Sequence, residues 1–164
     1  MLTGQRLARV LGLLRPLMQR IYQQRAQVAL IGFSGASARL FLDISAARPE
    51  GSRTLAEWLR PIGAGGGTPL TLGVRRANAL FERAARANPA QRRWLWLFTD
   101  GRCDEDPPAP ALADIRIVVD CELQRIALGR CLTLAQRWSA DYRTAHDLLD
   151  GAIEVIRSST QENR

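Results

Sequence analysis

Apolar residues Leu7, Val10, Leu11, Leu14, Leu17, Met18, Ile21 and Tyr22 recur at three- and four-residue steps, with Arg6, Arg9, Arg15 and Arg20 largely between them. That spacing predicts one amphipathic helix, bent at Pro16, whose ring removes a backbone donor and crowds the preceding turn. Two short apolar runs, 28–33 and 38–42, joined by Ser34-Gly35-Ala36-Ser37, predict a hairpin. Residues 52–60 read as a short helix that stops at Pro61. Leu70, Val74, Ala77, Leu80, Phe81 and Ala84 mark a second long helix, ended by Asn88-Pro89. Residues 94–98 form an uninterrupted apolar strand, of the kind buried on both faces of a parallel sheet, and it empties into Thr99-Asp100-Gly101. A proline-rich loop over 104–110 leads to another buried strand, 115–119, ending at Asp120. Residues 124–140 read as helix, 142–145 as a last short strand and 148–156 as a closing helix.

Strands alternating with helices predict an α/β fold: an open, mostly parallel sheet with helices on both faces. At 164 residues the chain fits one domain, expected over 1–157 with a polar tail at 158–164. A chain of this length buries roughly two-thirds of its unfolded surface in one core. No run of about 18 uncharged apolar residues exists, and arginines interrupt the apolar pattern of the N-terminus. No membrane span is expected, and a cytoplasmic location is.

All 23 basic residues are arginine and the formal net charge is +7. The arginines are scattered over several helices without a block of five or six like charges, which favours a solvated basic surface over a nucleic-acid face and leaves attraction to an acidic protein partner open. Cys103, Cys121 and Cys131 have no metal-binding spacing and only His146 to join them, so reduced, structural thiols are expected. His146 has no serine or cysteine motif around it and supports no catalytic triad.

The stretch from Pro61 to Leu70, PIGAGGGTPL, is the strongest local signal. Its glycines, Gly65, Gly66 and Gly67 among them, let backbone approach a ligand or adopt positive φ. Thr68 before Pro69 has the form of an N-cap followed by proline at the first helical position, so a tight turn and a capped helix suffice to explain it. A phosphate loop is disfavoured, because no lysine is present and no strand precedes the glycines. The other use for a hydroxyl near an aspartate is a hard cation. Magnesium takes oxygen ligands and keeps several waters, so Thr68 and Asp100 suit it. In open α/β sheets ligands sit outside the carboxyl ends of the strands, where Asp100 and Gly101 fall.

GAGGGTPLTLGVRRA together with WLWLFTDGR resembles the von Willebrand factor A (vWA) domain, in the version that ends the D-type subunits of magnesium chelatases and related cobaltochelatases. RAQVALIGFSGASARLFL is similar to that family's second and third strands, and IRIVVDCELQRIALGRCLTLAQRWSADY to its later strand and helix. The resemblance implies a metal-ion-dependent adhesion site (MIDAS) holding Mg2+, with Thr68 and Asp100 as ligands and Gly65, Gly66, Gly67 and Gly101 in the supporting loops. The family's first loop, Asp-x-Ser-x-Ser at the end of a central first strand, has no counterpart before LTGQRLARVLGLL. The sequence therefore reads as a vWA-like domain lacking that strand, with Met1 matching a methionine that follows it, and weak or absent Mg2+ binding is expected.

The function so implied is a non-catalytic, metal-dependent protein-binding component of a chelatase that inserts magnesium or cobalt into a tetrapyrrole, with cobalt in cobalamin biosynthesis preferred. Its implied partners are an I-type ATPase subunit and a large catalytic subunit, with no nucleic acid and no membrane. Two alternatives stay open: a degenerate, metal-free vWA scaffold, and a small phosphate- or nucleotide-binding enzyme. Asp104, Glu105 and Asp106 read as a solvated loop, Asp120 as a rim residue or helix cap, and Trp94 and Trp96 as core.

Overall fold

A computed structural model describes residues 2–46, 68–122 and 129–151. Helix α1 (Leu2–Gln23) is followed by strands β1 (Gln27–Ser34) and β2 (Ser37–Ala46), helix α2 (Leu70–Ala87), strands β3 (Trp94–Thr99) and β4 (Ile115–Asp120), helix α3 (Arg130–Arg137), strand β5 (Asp141–Thr144) and helix α4 (Ala145–Gly151). The helix expected over 52–60, the glycines at 65–67 and the tail at 158–164 lie outside the described residues.

β3, β4 and β5 form a parallel sheet in that order, paired from Trp94↔Ile115 to Thr99↔Asp120 and from Ile117↔Asp141 to Asp120↔Thr144. Side chains alternate across a strand, so β4 supplies both faces. Val118 points into one cluster with Leu70 and Val74 of α2, Cys131 and Ala135 of α3, Leu97 and Trp138. Ile117 and Val119 point into another with Leu13 of α1 and Ala145 and Leu148 of α4, against which Trp94, Trp96 and Phe98 pack. All three β4 residues have no exposed surface. The fold is thus α/β with helices on both faces, and the alternating tryptophans pack, partly buried, against the second cluster.

The hairpin forms as its turn predicts, with Ser34 opposite Ser37 and Gly35 at φ 62. It is, however, a separate two-stranded antiparallel sheet. Among the described residues no pairing joins it to β3–β4–β5, so these strands form two sheets. Helix α2 spans the two. Its Leu70 and Val74 sit over Leu97 and Val118, Phe33 of β1 packs against the same cluster, and Arg83 pairs with Asp43 of β2.

Helix ends depart from the sequence reading where backbone chemistry is local. α1 runs through Pro16 without interruption. It stops in a Schellman arrangement: Ala26 N–H donates to Ile21 C=O (3.1 Å), Arg25 N–H to Tyr22 C=O (2.9 Å), and Arg25 takes φ 53. α3, expected from 124, is described from Arg130 to Arg137 and ends the same way, with Ser139 at φ 48. The last strand ends at Thr144 and α4 begins at Ala145, three residues earlier than expected. The reason is a capping box: Thr144 N–H and Oγ1 both donate to Asp147 Oδ2 (2.8 Å each), and Asp147 N–H donates to Thr144 Oγ1 (3.2 Å). No helix among the described residues is long and apolar enough to cross a membrane.

Candidate functional site

β3 delivers Thr99, Asp100 and Gly101 to the carboxyl end of the parallel sheet. Buried Thr99 Oγ1 accepts from Gly101 N–H (3.2 Å), and Asp100 Oδ1 accepts from Arg102 N–H (3.2 Å), so two short-range bonds hold the turn. Gly101 has φ 67, and a Cβ there would lie 3.0 Å from Cys131 Sγ. Both the conformation and the space require glycine.

Thr68 precedes α2, half-buried, with its carbonyl accepting from Leu70 N–H (2.8 Å). The expected capping role fails. Pro69 takes the N-cap position at φ −76, ψ 69, and no side-chain cap bond is made there. The Thr71 N–H instead donates to Glu105 Oε2 (2.7 Å), 34 residues along the chain. A carboxylate satisfies this helix start better than a hydroxyl, because it also meets the positive end of the helix dipole. The bond holds the Glu105 carboxyl below its usual range. It also ties the start of α2 to the loop that follows Asp100, which brings Thr68 and Asp100 to the same end of the fold.

Glu105 is one of three consecutive carboxylates expected to be merely solvated. Each has a partner. Arg130 Nη1 donates to Asp104 Oδ1 and to Cys103 C=O (2.7 Å each), and Arg137 pairs with Asp106. Residues 103–106 thereby line a cleft of about 230 Å³ together with Leu70, Thr99, Gly101, Cys131 and Leu134. The sequence signal that might have located these partners is the seven-residue spacing of Arg130 and Arg137, two turns apart on one helix face.

Asp120 is 7% exposed at the end of β4, beside Thr99. It accepts from Tyr142 O–H (2.9 Å) and from Glu122 N–H (2.9 Å). Burial, then the bond to Asp120, pushes the Tyr142 phenol up to about 12. Cys131 and Cys121 are buried and outside any disulfide; burial and then Asp120 raise the Cys131 thiol, which does not suit a nucleophile. Cys103 is half-buried and its thiol is also raised by burial. His146 is exposed at the start of α4.

No group of three or more His, Cys, Asp and Glu side chains placed to hold a metal occurs among the described residues. Thr68 and Asp100 are hard oxygen donors, right in kind for magnesium but short in number for a tight site without water or a partner's ligand.

No family model matches the chain. Over 146 residues it is 32% identical to uncharacterized protein Rv2850c of Mycobacterium tuberculosis, a match that covers 82% of this chain and 23% of that protein. The chain thus spans about a quarter of the length of this relative.

Proposed function

We propose that this chain is a vWA-like, non-catalytic protein-docking domain of a chelatase that inserts magnesium or cobalt into a tetrapyrrole, with cobalt in cobalamin biosynthesis preferred. The observation that carries the reading is the Thr71 N–H bond to Glu105, which ties the helix that follows Thr68 to the loop that follows Asp100. The hydroxyl that the sequence offers as a helix cap is relieved of that work by Glu105, and a turn held by two hydrogen bonds presents Asp100 at the end of β3. An oxygen pair of this kind suits a Mg2+ ion whose coordination is finished by waters and by a carboxylate of the partner, which makes docking metal-dependent. The ion would supply charge and geometry for docking, and no chemical step on this chain is assigned to it.

The partners proposed are an I-type ATPase subunit and a large catalytic chelatase subunit, met in the cytoplasm. A match to about a quarter of a longer relative is compatible with one module of a larger assembly.

The test is capture of purified I-type and catalytic subunits by the immobilised chain, with millimolar Mg2+ or with EDTA, beside Asp100→Ala and Thr68→Ala. Capture that needs Mg2+ and Asp100 supports the reading. Capture indifferent to both would leave a metal-free scaffold, and absence of capture under every condition would remove the chelatase assignment. ATP turnover by the isolated chain would favour the enzyme alternative instead.

A further inference from the structure

The loop after Asp100 is fixed at both ends, and between them only the partly buried Cys103 packs against the core, the acidic residues 104–106 being held by polar contacts. At one end Gly101 is buried beneath Cys131. At the other, Pro107 is buried and its carbonyl accepts from the buried indole N–H of Trp138 (3.0 Å). Between these points, residues 102–106 send no large apolar side chain into the core. Their anchors are the Arg130 contacts to Asp104 and to the Cys103 carbonyl, the Thr71 N–H on Glu105, and the Arg137–Asp106 pair. The pairs are wet: the side chains of Asp104 and Arg130 are 97% and 50% exposed, and those of Asp106 and Arg137 are 49% and 54% exposed. Exposed pairs of this kind hold weakly and are screened by salt.

Three carboxylates in sequence therefore occupy three receptor positions contributed by two helices, in the wall of a cleft large enough to seat side chains. The receptor belongs to a chain of net charge +7, in which acidic sequence is the complementary ligand.

We propose that residues 103–106 are a displaceable strap, whose carboxylates hold in cis the positions on Arg130, Arg137 and Thr71 N–H that an acidic segment of a partner protein takes in trans. The strap is then an intramolecular competitor. It keeps Arg130, Arg137 and the Thr71 N–H from weakly acidic proteins and yields to a segment that presents more carboxylates or is delivered at high local concentration. The proposal shares with the docking reading the need for a protein partner but requires no metal, so it stands or falls separately.

Cys103 reports on the strap, because its half-buried thiol donates to Glu105 C=O (3.8 Å) within the loop, while Cys121 and Cys131 are buried. The experiment compares the wild type with Asp104→Asn/Glu105→Gln/Asp106→Asn, both in EDTA. It reads Cys103 alkylation by neutral iodoacetamide, and binding of a labelled Ser-Asp-Glu-Asp-Pro-Pro peptide against its neutral Ser-Asn-Gln-Asn-Pro-Pro counterpart.

The released variant should alkylate about tenfold faster and bind the acidic peptide about tenfold more tightly than wild type, as loss of several weak clamps implies. Adding Arg130→Gln/Arg137→Gln should abolish that gain. Equal peptide binding by variant and wild type, or a gain that survives loss of both arginines, overturns the proposal. Should the triple variant fail to fold, the wild type decides. Raising NaCl from about 50 to 500 mM should accelerate Cys103 alkylation several-fold, and an unchanged rate overturns the strap.

Discussion

Gly73 of α2 lies against the ring of Phe33 of β1, so closely that a Cβ at Gly73 would come 2.9 Å from Phe33 Cδ1 and 3.2 Å from Cγ. The contact fastens the hairpin to the helix that also covers the parallel sheet, at a place where no strand pairing joins the two sheets among the described residues. Alanine in a helix normally gains about 1 kcal/mol over glycine, but overpacking costs about 1–3 kcal/mol. Gly73→Ala should therefore lower stability by roughly 1 kcal/mol in urea unfolding, and Phe33→Leu in the same chain should relieve most of that loss. A stabilised Gly73→Ala would mean that the helix and hairpin separate readily.

Gly101 is constrained twice, by its left-handed backbone and by Cys131. Gly101→Ala should cost about 1–2 kcal/mol for the backbone alone. The shift it forces should also disturb the Asp100 turn, so that any metal-dependent capture weakens together with Tm. Thermal unfolding and the capture assay on one variant check both.

Two helices end on residues that carry a side chain into left-handed backbone, Arg25 and Ser139. Replacing each with glycine removes a Cβ clash that the Schellman geometry imposes. Arg25→Gly and Ser139→Gly should each raise stability by about 0.5–1 kcal/mol, less the entropy that glycine adds to the unfolded chain. The two should add, since they lie at the ends of different helices.

The buried Asp120 gives the fold an alkaline limit. Tyr142 has its phenol raised to about 12 by burial and by the bond to Asp120, against about 10 in the unfolded chain. The contribution is fully present below about pH 10 and is lost as pH rises through about 12, because the folded state then holds a proton that the unfolded state has released. Tyr142→Phe should abolish the phenolate absorbance step near pH 12. It should also destabilise by about 1–3 kcal/mol at neutral pH, through the buried carboxylate left short of a donor.

The capping box sets an acid limit of opposite sign. Asp147 is held below its usual range by Thr144, first through the backbone N–H and then through the hydroxyl. That contribution is present above the unfolded aspartate value near 4 and disappears as pH falls through the lower folded value. Thr144→Ala should destabilise by about 1 kcal/mol at pH 7, and the gap from wild type should narrow in urea titrations carried below pH 4.

The elements whose signal is repeated along the chain were legible without the fold. The three- and four-residue apolar steps of 70–84 and the unbroken apolar run of 94–98 gave α2 and β3 nearly to the residue, and Asn88-Pro89 ended α2 as expected. The start of α4 was also readable, in Thr144-Ala-His-Asp147, but a closing strand at 142–145 obscured it. In the candidate site, the sequence pointed to Thr68 and Asp100 as an oxygen pair suited to one ion, without establishing that Glu105 of the β3–β4 loop bonds to the start of the helix that follows Thr68.

By itself the sequence determined the α/β class and the strand that ends just before Asp100, because periodicity acts over a few residues. Tertiary structure alone decided what the polar groups do. Glu105 took the helix start that Thr68 was expected to cap, Asp104 and Asp106 found arginines on α3, Asp120 became a buried acceptor, and the sheet divided beneath a shared helix. These outcomes depend on which side chains meet across 20 to 40 residues of chain, and a buried or charged group takes the partner that the fold places nearest.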